Sequence, residues 1–203
     1  MLNELNLTPF LQETLPFPRK AALFLSGQGS NAEAVLNDLA KAPAGYTVSV
    51  LVTDAPERSR ARELAARFQI PLIEHDLKKF YQDHGAATTS LATAEGRRLR
   101  ELWTDGLRRK LAEYQVDFGI LAGFMTLCNI AEDLPCLNVH PGDLTVTDAS
   151  GRRILAGLQY SARPKPAIHP LPAHRVSVFY APLPIPRQSA RHDPPERLRI
   201  PRE

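Results

Sequence analysis

Cysteine is scarce in this chain, and long apolar runs are missing altogether. The two cysteines among 203 residues, Cys128 and Cys136, have no CxxC pair or Cys/His cluster around them. This excludes a disulfide scaffold and gives no reason to expect a metal, and it predicts two reduced thiols in a cytoplasmic protein. No stretch approaches the roughly 20 apolar residues that a membrane-spanning helix requires. The N-terminal segment lacks the basic and apolar regions of a secretory signal.

The charge of the chain changes sign along its length. Residues 1–151 carry 15 Lys and Arg against 19 Asp and Glu, whereas residues 152–203 carry 10 against 3. A basic tail can bind nucleic acid, but this one lacks interleaved aromatic residues and any recognisable binding module. We therefore expect small-molecule partners, and neither a nucleic acid nor a membrane. The overall composition, 43% hydrophobic and 23% charged, is that of a globular domain.

Short apolar runs alternate with helical patterns over the first 140 residues. Strands are predicted at 20–26, 46–53, 70–74, 117–122 and 136–140, and helices at 32–42, 58–68 and 89–114. The last helix is expected to bury one face made of Leu99, Leu102, Trp103, Leu107 and Leu111. This order predicts an α/β fold with a Rossmann-like, doubly wound and mostly parallel sheet. In such sheets ligands bind beyond the carboxyl ends of the strands.

The chain divides into three parts by pattern. Residues 1–18 are predicted to form a leader with a short amphipathic helix, residues 19–160 the α/β domain, and residues 161–203 an irregular Pro/Arg-rich tail. Ten of the 18 prolines fall from Pro164 onward. Within that region only 175–181 has the pattern of a strand, so the remainder is predicted to be extended or disordered.

A glycine-containing turn follows the first predicted strand. The sequence Ser26-Gly27-Gln28-Gly29-Ser30-Asn31 leads directly into a helix. Glycines allow close backbone approach, and the helix start offers free N–H groups, so the turn predicts a phosphate site. Ser30 is the expected N-cap. The alternative is a plain strand-to-helix turn, because the motif is neither GxGxxG nor a P-loop.

The fifth predicted strand ends in Asn138-Val139-His140-Pro141. Residues i and i+2 of a strand share a face, so Asn138 and His140 project together at the carboxyl edge of the sheet. An amide donor beside an imidazole suits acyl or formyl transfer, since one group stabilises an oxyanion and the other exchanges a proton. From spacing alone, a strand-end histidine bonded to the backbone is the stronger interpretation.

Three motifs in this order resemble those of glycinamide ribonucleotide formyltransferases: SGQGSN, LAGFM and NVHP. The resemblance covers roughly residues 20–142. Turns like AGFM and NxHP also occur in methionyl-tRNA formyltransferase and formyltetrahydrofolate deformylase, whereas SGxGSN points to the glycinamide ribonucleotide branch.

The resemblance assigns a role to each motif. It implies that 10-formyltetrahydrofolate and glycinamide ribonucleotide are the substrates, in purine biosynthesis. The backbone of Gly27, Gln28, Gly29, Ser30 and Asn31 would hold the substrate phosphate. Met125, Thr126 and Leu127 would line the folate pocket, and Asn138 and His140 would be catalytic. Simple core packing is the alternative for Phe124 and Met125.

The chain also departs from the family pattern. Thr126 replaces the usual arginine after AGFM, and Pro186 falls where the family carries a catalytic aspartate in a DELDGG-like turn. The family's later helix is also missing. Two explanations remain open: a divergent branch in which Asp143 is the substitute acid, or a tail encoded out of frame. For Asp143 itself, a solvated loop acid is the stronger interpretation. The resemblance therefore implies weak or absent turnover unless another acid substitutes for the aspartate. A deformylase, another formyltransferase or a non-catalytic phosphate- or RNA-binding remnant are the alternatives.

Overall fold

The computed structural model describes Leu11 and residues 15–42, 44–140, 147–152 and 177–180, with the backbone alone for His140 and for 177–180. Six strands are present in this part of the chain: β1 (Arg19–Leu25), β2 (Tyr46–Thr53), β3 (Leu72–Glu74), β4 (Phe118–Leu121), β5 (Cys136–His140) and β6 (Ser177–Tyr180). The helices are α1 (Ser30–Lys41), α2 (Ala61–Phe68), α3 (Leu77–Asp83) and α4 (Ala94–Ala112), with a 3-10 helix at Asn129–Glu132.

The strands form one sheet in the order β3-β2-β1-β4-β5-β6. All neighbours are parallel except β5 and β6, which are antiparallel. The chain builds outward from β1 through β2 to β3, then crosses to the other side of β1 to form β4. This reversal makes the carboxyl ends of β1 and β4 the topological switch point, where open α/β sheets bind ligands. The predicted Rossmann-like, mostly parallel fold is confirmed.

Helices cover both faces of the sheet, and β1 lies in the centre. Residues Ala21 to Leu25 are fully buried and alternate between two hydrophobic clusters. Ala22 and Phe24 pack on the side of α3 and α4, and Leu23 and Leu25 pack on the side of α1 and α2. A strand buried on both faces explains why β1 is a continuous apolar run.

One predicted member of the α4 core face is wrong. Leu102 is 39% exposed, whereas the other four predicted residues are fully buried. Those four recur every fourth position from Leu99 to Leu111. The buried surface extends from them toward Arg100, Thr104 and Arg108, which leaves Leu102 on the opposite flank.

Helix bounds differ from the predicted ones because side chains and turns fix them locally. Helix α4 begins at Ala94 rather than near 89, since the Thr93 hydroxyl accepts a hydrogen bond from Gly96 N at 3.0 Å. Helix α2 begins at Ala61 rather than at 58, because Arg58 N and Ser59 N donate to Ala55 O and form a turn before the helix. Helix α3 was not predicted at all. The strand expected at 175–181 is present as β6. The leader helix and the rest of the predicted tail lie outside the described residues.

Both cysteines are free and buried. Burial raises the pKa of the Cys128 thiol to about 11 and raises that of Cys136 as well. Since the thiolate is the reactive form, we expect neither residue to react with Ellman's reagent in the native protein at pH 8 within minutes. Two thiols per chain should titrate in guanidinium chloride. Rapid reaction of one thiol without denaturant would contradict the burial of these side chains.

No helix in the described part of the chain is long and apolar enough to cross a membrane.

Candidate active site

Two motif loops meet at the switch point between β1 and β4. Ser26 N donates to Gly123 O at 3.2 Å, and Met125 N donates to Ser26 Oγ at 2.9 Å. The loops are brought together because β1 and β4 are paired neighbours, with Phe24 beside Leu121. Residues 26–31 and 123–127, nearly a hundred positions apart in sequence, therefore form one surface.

The first loop turns sharply at Gly29, whose φ of 65° lies in the left-handed region. The expected N-cap at Ser30 is wrong: Ser30 is the first residue of α1, the N-cap is Gly29, and no side-chain cap hydrogen bond is present. A helix that begins without a side-chain cap leaves its first N–H groups available, and Ser30 and Asn31 are exposed. This is the geometry that an anion requires at a helix start.

Arg60, the residue before α2, holds this loop in place through its backbone and its side chain. Arg60 N donates to Gly27 O at 3.1 Å, and the Arg60 guanidinium contacts Gln28 O at 3.4 Å. The same guanidinium forms an ion pair with Glu33, in the first turn of α1, at 2.9 Å. Arg67 forms a second ion pair with Glu33 at 2.5 Å. Hydrogen bonds from Arg60 and Arg67 lower the pKa of Glu33. The two arginines thus offset a carboxylate that would otherwise repel a phosphate.

The second loop presents apolar side chains to solvent. Met125 is 54% and Leu127 47% exposed, so core packing does not account for Met125. Phe124 does pack against the core, with its ring 5.3 Å from that of Phe24 in an edge-on arrangement. Between the two exposed residues, the Thr126 hydroxyl donates to Asp54 Oδ2. Exposed apolar groups beside a polar anchor suit a flat heteroaromatic ligand.

Asn138 lies on β5 beside Leu121, at the same sheet edge as the two loops, and is partly buried. His140 occupies the last position of β5, two residues on, opposite Ser177 of β6. The backbone therefore places both residues at the carboxyl edge and on the same face. The side chain of His140, Asp143 and the position of Pro186 lie outside the described residues.

A cavity of about 940 Å³ opens beside the joined loops. It is lined by Ser26 and Gly27, by Met125 and Thr126, by Asp54, by α3 and by residues 86–89. Residues of the 26–31 and 123–127 loops therefore share one cavity that extends over the ends of β2 and β3. Within the described ranges, no three His, Cys, Asp or Glu side chains are grouped to hold a metal ion.

A family model described as "Formyl transferase" matches residues 19–144, more than half of the chain. The chain belongs to the formyl transferase family. The matched region contains both loops and β5, and it ends just after the Asn138–His140 pair. No curated protein has a significantly similar sequence.

The chain is similar to several solved structures, and the first of them supports the fold. Glycinamide ribonucleotide transformylase 1 from Symbiobacterium toebii is 21% identical with a TM-score of 0.52, covering 71% of this chain and 57% of its own. Glycinamide ribonucleotide transformylase 1 from Geobacillus kaustophilus is 25% identical with a TM-score of 0.48, and the match covers 64% of this chain and 62% of that protein. Phosphoribosylglycinamide formyltransferase from Bacillus halodurans is 26% identical with a TM-score of 0.46, and the match covers 61% of this chain and 56% of that protein. The chain thus spans less than two thirds of each relative's length.

A buried arginine stabilises the 123–127 loop of this formyl transferase domain. Arg100, on α4, donates to Leu127 O at 2.5 Å and to Thr89 O at 2.9 Å, and its guanidinium lies 5.5 Å from the centre of the Tyr81 ring. Thr89, Met125 and Thr126 line the cavity. Arg100 therefore connects two segments of the chain that contribute to its lining.

Sequence patterns alone missed Asp54, α3 and Arg100 as parts of the site. Asp54 directly follows a buried strand at the ligand-binding edge, but many solvated loop acids have the same position in sequence, so this pattern alone does not single it out. Arg100 had none, since a cation in a helix is usually solvated and its burial depends on carbonyls 11 and 27 residues away.

Proposed function

We propose that this protein transfers the formyl group of 10-formyltetrahydrofolate to the amine of glycinamide ribonucleotide, a step of purine biosynthesis in the cytoplasm. The observation that carries the proposal is the 2.9 Å hydrogen bond between Met125 N and Ser26 Oγ. It holds a phosphate-type helix start and an apolar, folate-type loop side by side, as a reaction between a phosphorylated amine and a folate requires.

Each substrate has a suitable surface. The N–H groups at the start of α1 would bind the nucleotide phosphate, with Gly27 and Gly29 allowing close approach. The exposed side chains of Met125 and Leu127 would contact the pterin ring, with Thr126 between them. The SGxGSN form of the first loop favours glycinamide ribonucleotide over other amines among the enzymes that the chain resembles.

The reaction needs little more than positioning and a proton carrier. The substrate amine attacks the formyl carbon, and negative charge develops on the formyl oxygen, where the Asn138 amide would donate a hydrogen bond. The tetrahedral intermediate collapses as the bond to N10 breaks, and the proton lost by the amine ends on N10. His140 would stabilise the oxyanion and carry this proton. No metal enters this scheme.

Turnover is expected to be slow. Pro186 occupies the position that the resemblance assigns to the catalytic aspartate, and proline has no ionisable group. Removing the orienting carboxylate from a coupled catalytic set costs roughly 10⁴-fold in rate. Asp143 is the candidate that would restore part of this loss.

The direct test is a formyl-transfer assay with the full chain, glycinamide ribonucleotide and 10-formyltetrahydrofolate. We expect slow formylation that His140→Ala abolishes and that Asp143→Asn reduces further if this acid substitutes. Absence of transfer despite tight binding of both substrates would refute the enzymatic proposal. A fast rate that survives Asp143→Asn would contradict the expectation of slow turnover.

The same assay separates the rivals. Formate release without an amine acceptor would indicate a deformylase, and transfer to a sugar-nucleotide amine would indicate a different formyltransferase. Salt-sensitive RNA binding that disappears when residues 152–203 are deleted would support a binding remnant.

A further inference from the structure

The backbone of the 123–127 loop is fixed at two points on either side of its fourth residue. Met125 N donates to Ser26 Oγ at 2.9 Å, and Leu127 O accepts a hydrogen bond from the Arg100 guanidinium at 2.5 Å. The side chains of Met125 and Leu127 are nevertheless exposed, so core packing does not orient them. Two backbone contacts leave the residue between them free to rotate, and its rotation would turn both apolar side chains. A third contact is needed to fix their direction.

Thr126 makes that third contact, because its hydroxyl donates a hydrogen bond to Asp54 Oδ2. The acceptor is itself held firmly in the fold. The backbone oxygen of Asp54 accepts a hydrogen bond from Leu77 N at 3.0 Å, and the preceding residue, Thr53, pairs with Leu25 of the central strand β1. Hydrogen bonds to a charged acceptor are stronger than those between neutral groups. The carboxylate at the end of β2 therefore connects the loop to the rigid centre of the sheet.

Stability alone does not account for a carboxylate at this position. Asp54 is 8% exposed, and its Oδ1 is buried without a hydrogen-bond partner in the described part of the chain. A buried acceptor that lacks a partner costs free energy, and a charged one costs more. Thr126 is partly exposed, so its hydroxyl would bond to water if the carboxylate were absent. The protein thus keeps an unfavourable group whose one side-chain contact acts on the 123–127 loop.

We propose that Asp54 is a positioning residue for the formyl donor, and that it acts through Thr126 to fix the orientation of Met125 and Leu127, on which the folate packs. The folate as ligand rests on the proposed function, but the ordering of the loop does not. Strand β5, which carries the proposed catalytic pair, is three strands away from β2 in the sheet. Asp54 therefore influences binding of the donor and does not touch the reacting atoms.

Hydrogen exchange of the full chain, followed by mass spectrometry, tests the ordering of the loop without any ligand. Thr126→Val removes the hydroxyl and keeps the shape of the side chain. We expect the amides of the 123–127 loop to exchange about tenfold faster in this variant, because the loop opens more often. Thr126→Ser keeps the hydroxyl and should exchange like the unmodified protein. Unchanged loop exchange in folded Thr126→Val would overturn the proposal.

Substitution of the acid shows whether it acts through the hydroxyl. Asp54→Ala should accelerate loop exchange as Thr126→Val does, and the double variant should exchange no faster than either single variant, since both changes remove the same contact. Asp83→Ala removes an exposed acid of α3 that pairs with Lys79, and it should leave the loop unchanged. Additive effects of the two substitutions would refute the role assigned to Asp54. If Asp54→Ala does not fold, Thr126→Val at its partly exposed position decides the question.

Calorimetric titration with 10-formyltetrahydrofolate and with inorganic phosphate relates the loop to the proposed function. Thr126→Val and Asp54→Ala should raise the Kd of the folate about tenfold and leave that of phosphate unchanged, whereas Thr126→Ser should bind both normally. A purely structural role would change both affinities or neither, and either result would refute the proposal. If the unmodified protein binds no 10-formyltetrahydrofolate, the proposed function fails, and loop exchange alone decides whether Asp54 positions the loop.

Discussion

Gly29→Ala is expected to destabilise the protein by about 2–5 kcal/mol and to disrupt the 26–31 loop. Gly29 has a φ of 65°, which costs an L-residue about 1–2 kcal/mol. An added Cβ would also lie 2.8 Å from Leu25 Cδ1 and 3.1 Å from Leu64 Cδ1, two buried core side chains. Overpacking of this kind costs about 1–3 kcal/mol. Urea unfolding followed by circular dichroism measures the loss.

Gly27→Ala is the matched control in the same loop. An added Cβ at Gly27 meets no atom within 4 Å, and the residue is not in the left-handed region. We expect its free energy of unfolding to stay within about 1 kcal/mol of the unmodified protein. Because Gly27 lines the cavity, the new methyl group should instead weaken binding of inorganic phosphate. Equal destabilisation by both substitutions would contradict the distinct roles assigned to the two glycines.

The central strands were predictable because strands buried in the middle of a sheet are rich in apolar and β-branched residues. The bounds of β2, Tyr46–Thr53, match the prediction residue for residue. Short or partly polar elements were not predictable. Helix α3 has seven residues and buries only Leu77 and Tyr81, so its periodicity is too brief to recognise. The buried face of α4 extends toward Arg100 and Arg108. This could not be predicted, because their hydrogen-bond partners include residues of distant segments.

The turns at 26–31 and 123–127 could be predicted because each belongs to a single segment that follows a buried strand. Contacts between distant segments could not be predicted. Asp54 is 72 positions from Thr126, and an acid after a strand resembles any solvated loop acid until that hydrogen bond is seen. The N-cap failed for a local reason, since Gly29 takes the left-handed conformation and shifts the helix start by one residue.

Arg108→Ala is expected to destabilise the protein by about 3–5 kcal/mol, since it leaves a buried carboxylate without its partner. Arg108, on α4, is almost fully buried and donates to Asp133, to Asp105 Oδ1 at 2.6 Å and to Asn129 O at 3.0 Å. Asp133 is itself buried, and it directly follows the 3-10 helix that links the 123–127 loop to β5. Urea unfolding gives the free energy of unfolding.

The link from Arg108 to the site makes a second consequence testable. With the Asn129 carbonyl and Asp133 released, the segment between Leu127 and Cys136 loses these polar contacts to α4, so binding of the proposed donor 10-formyltetrahydrofolate should weaken even below the unfolding transition. Arg98→Ala removes the same side chain from the same helix, but Arg98 is exposed, and among the described residues it pairs only with Glu95, one turn earlier. Surface pairs of this kind contribute little. If the two substitutions had similar effects on unfolding, the buried pair would not be what holds the segment before β5 in place.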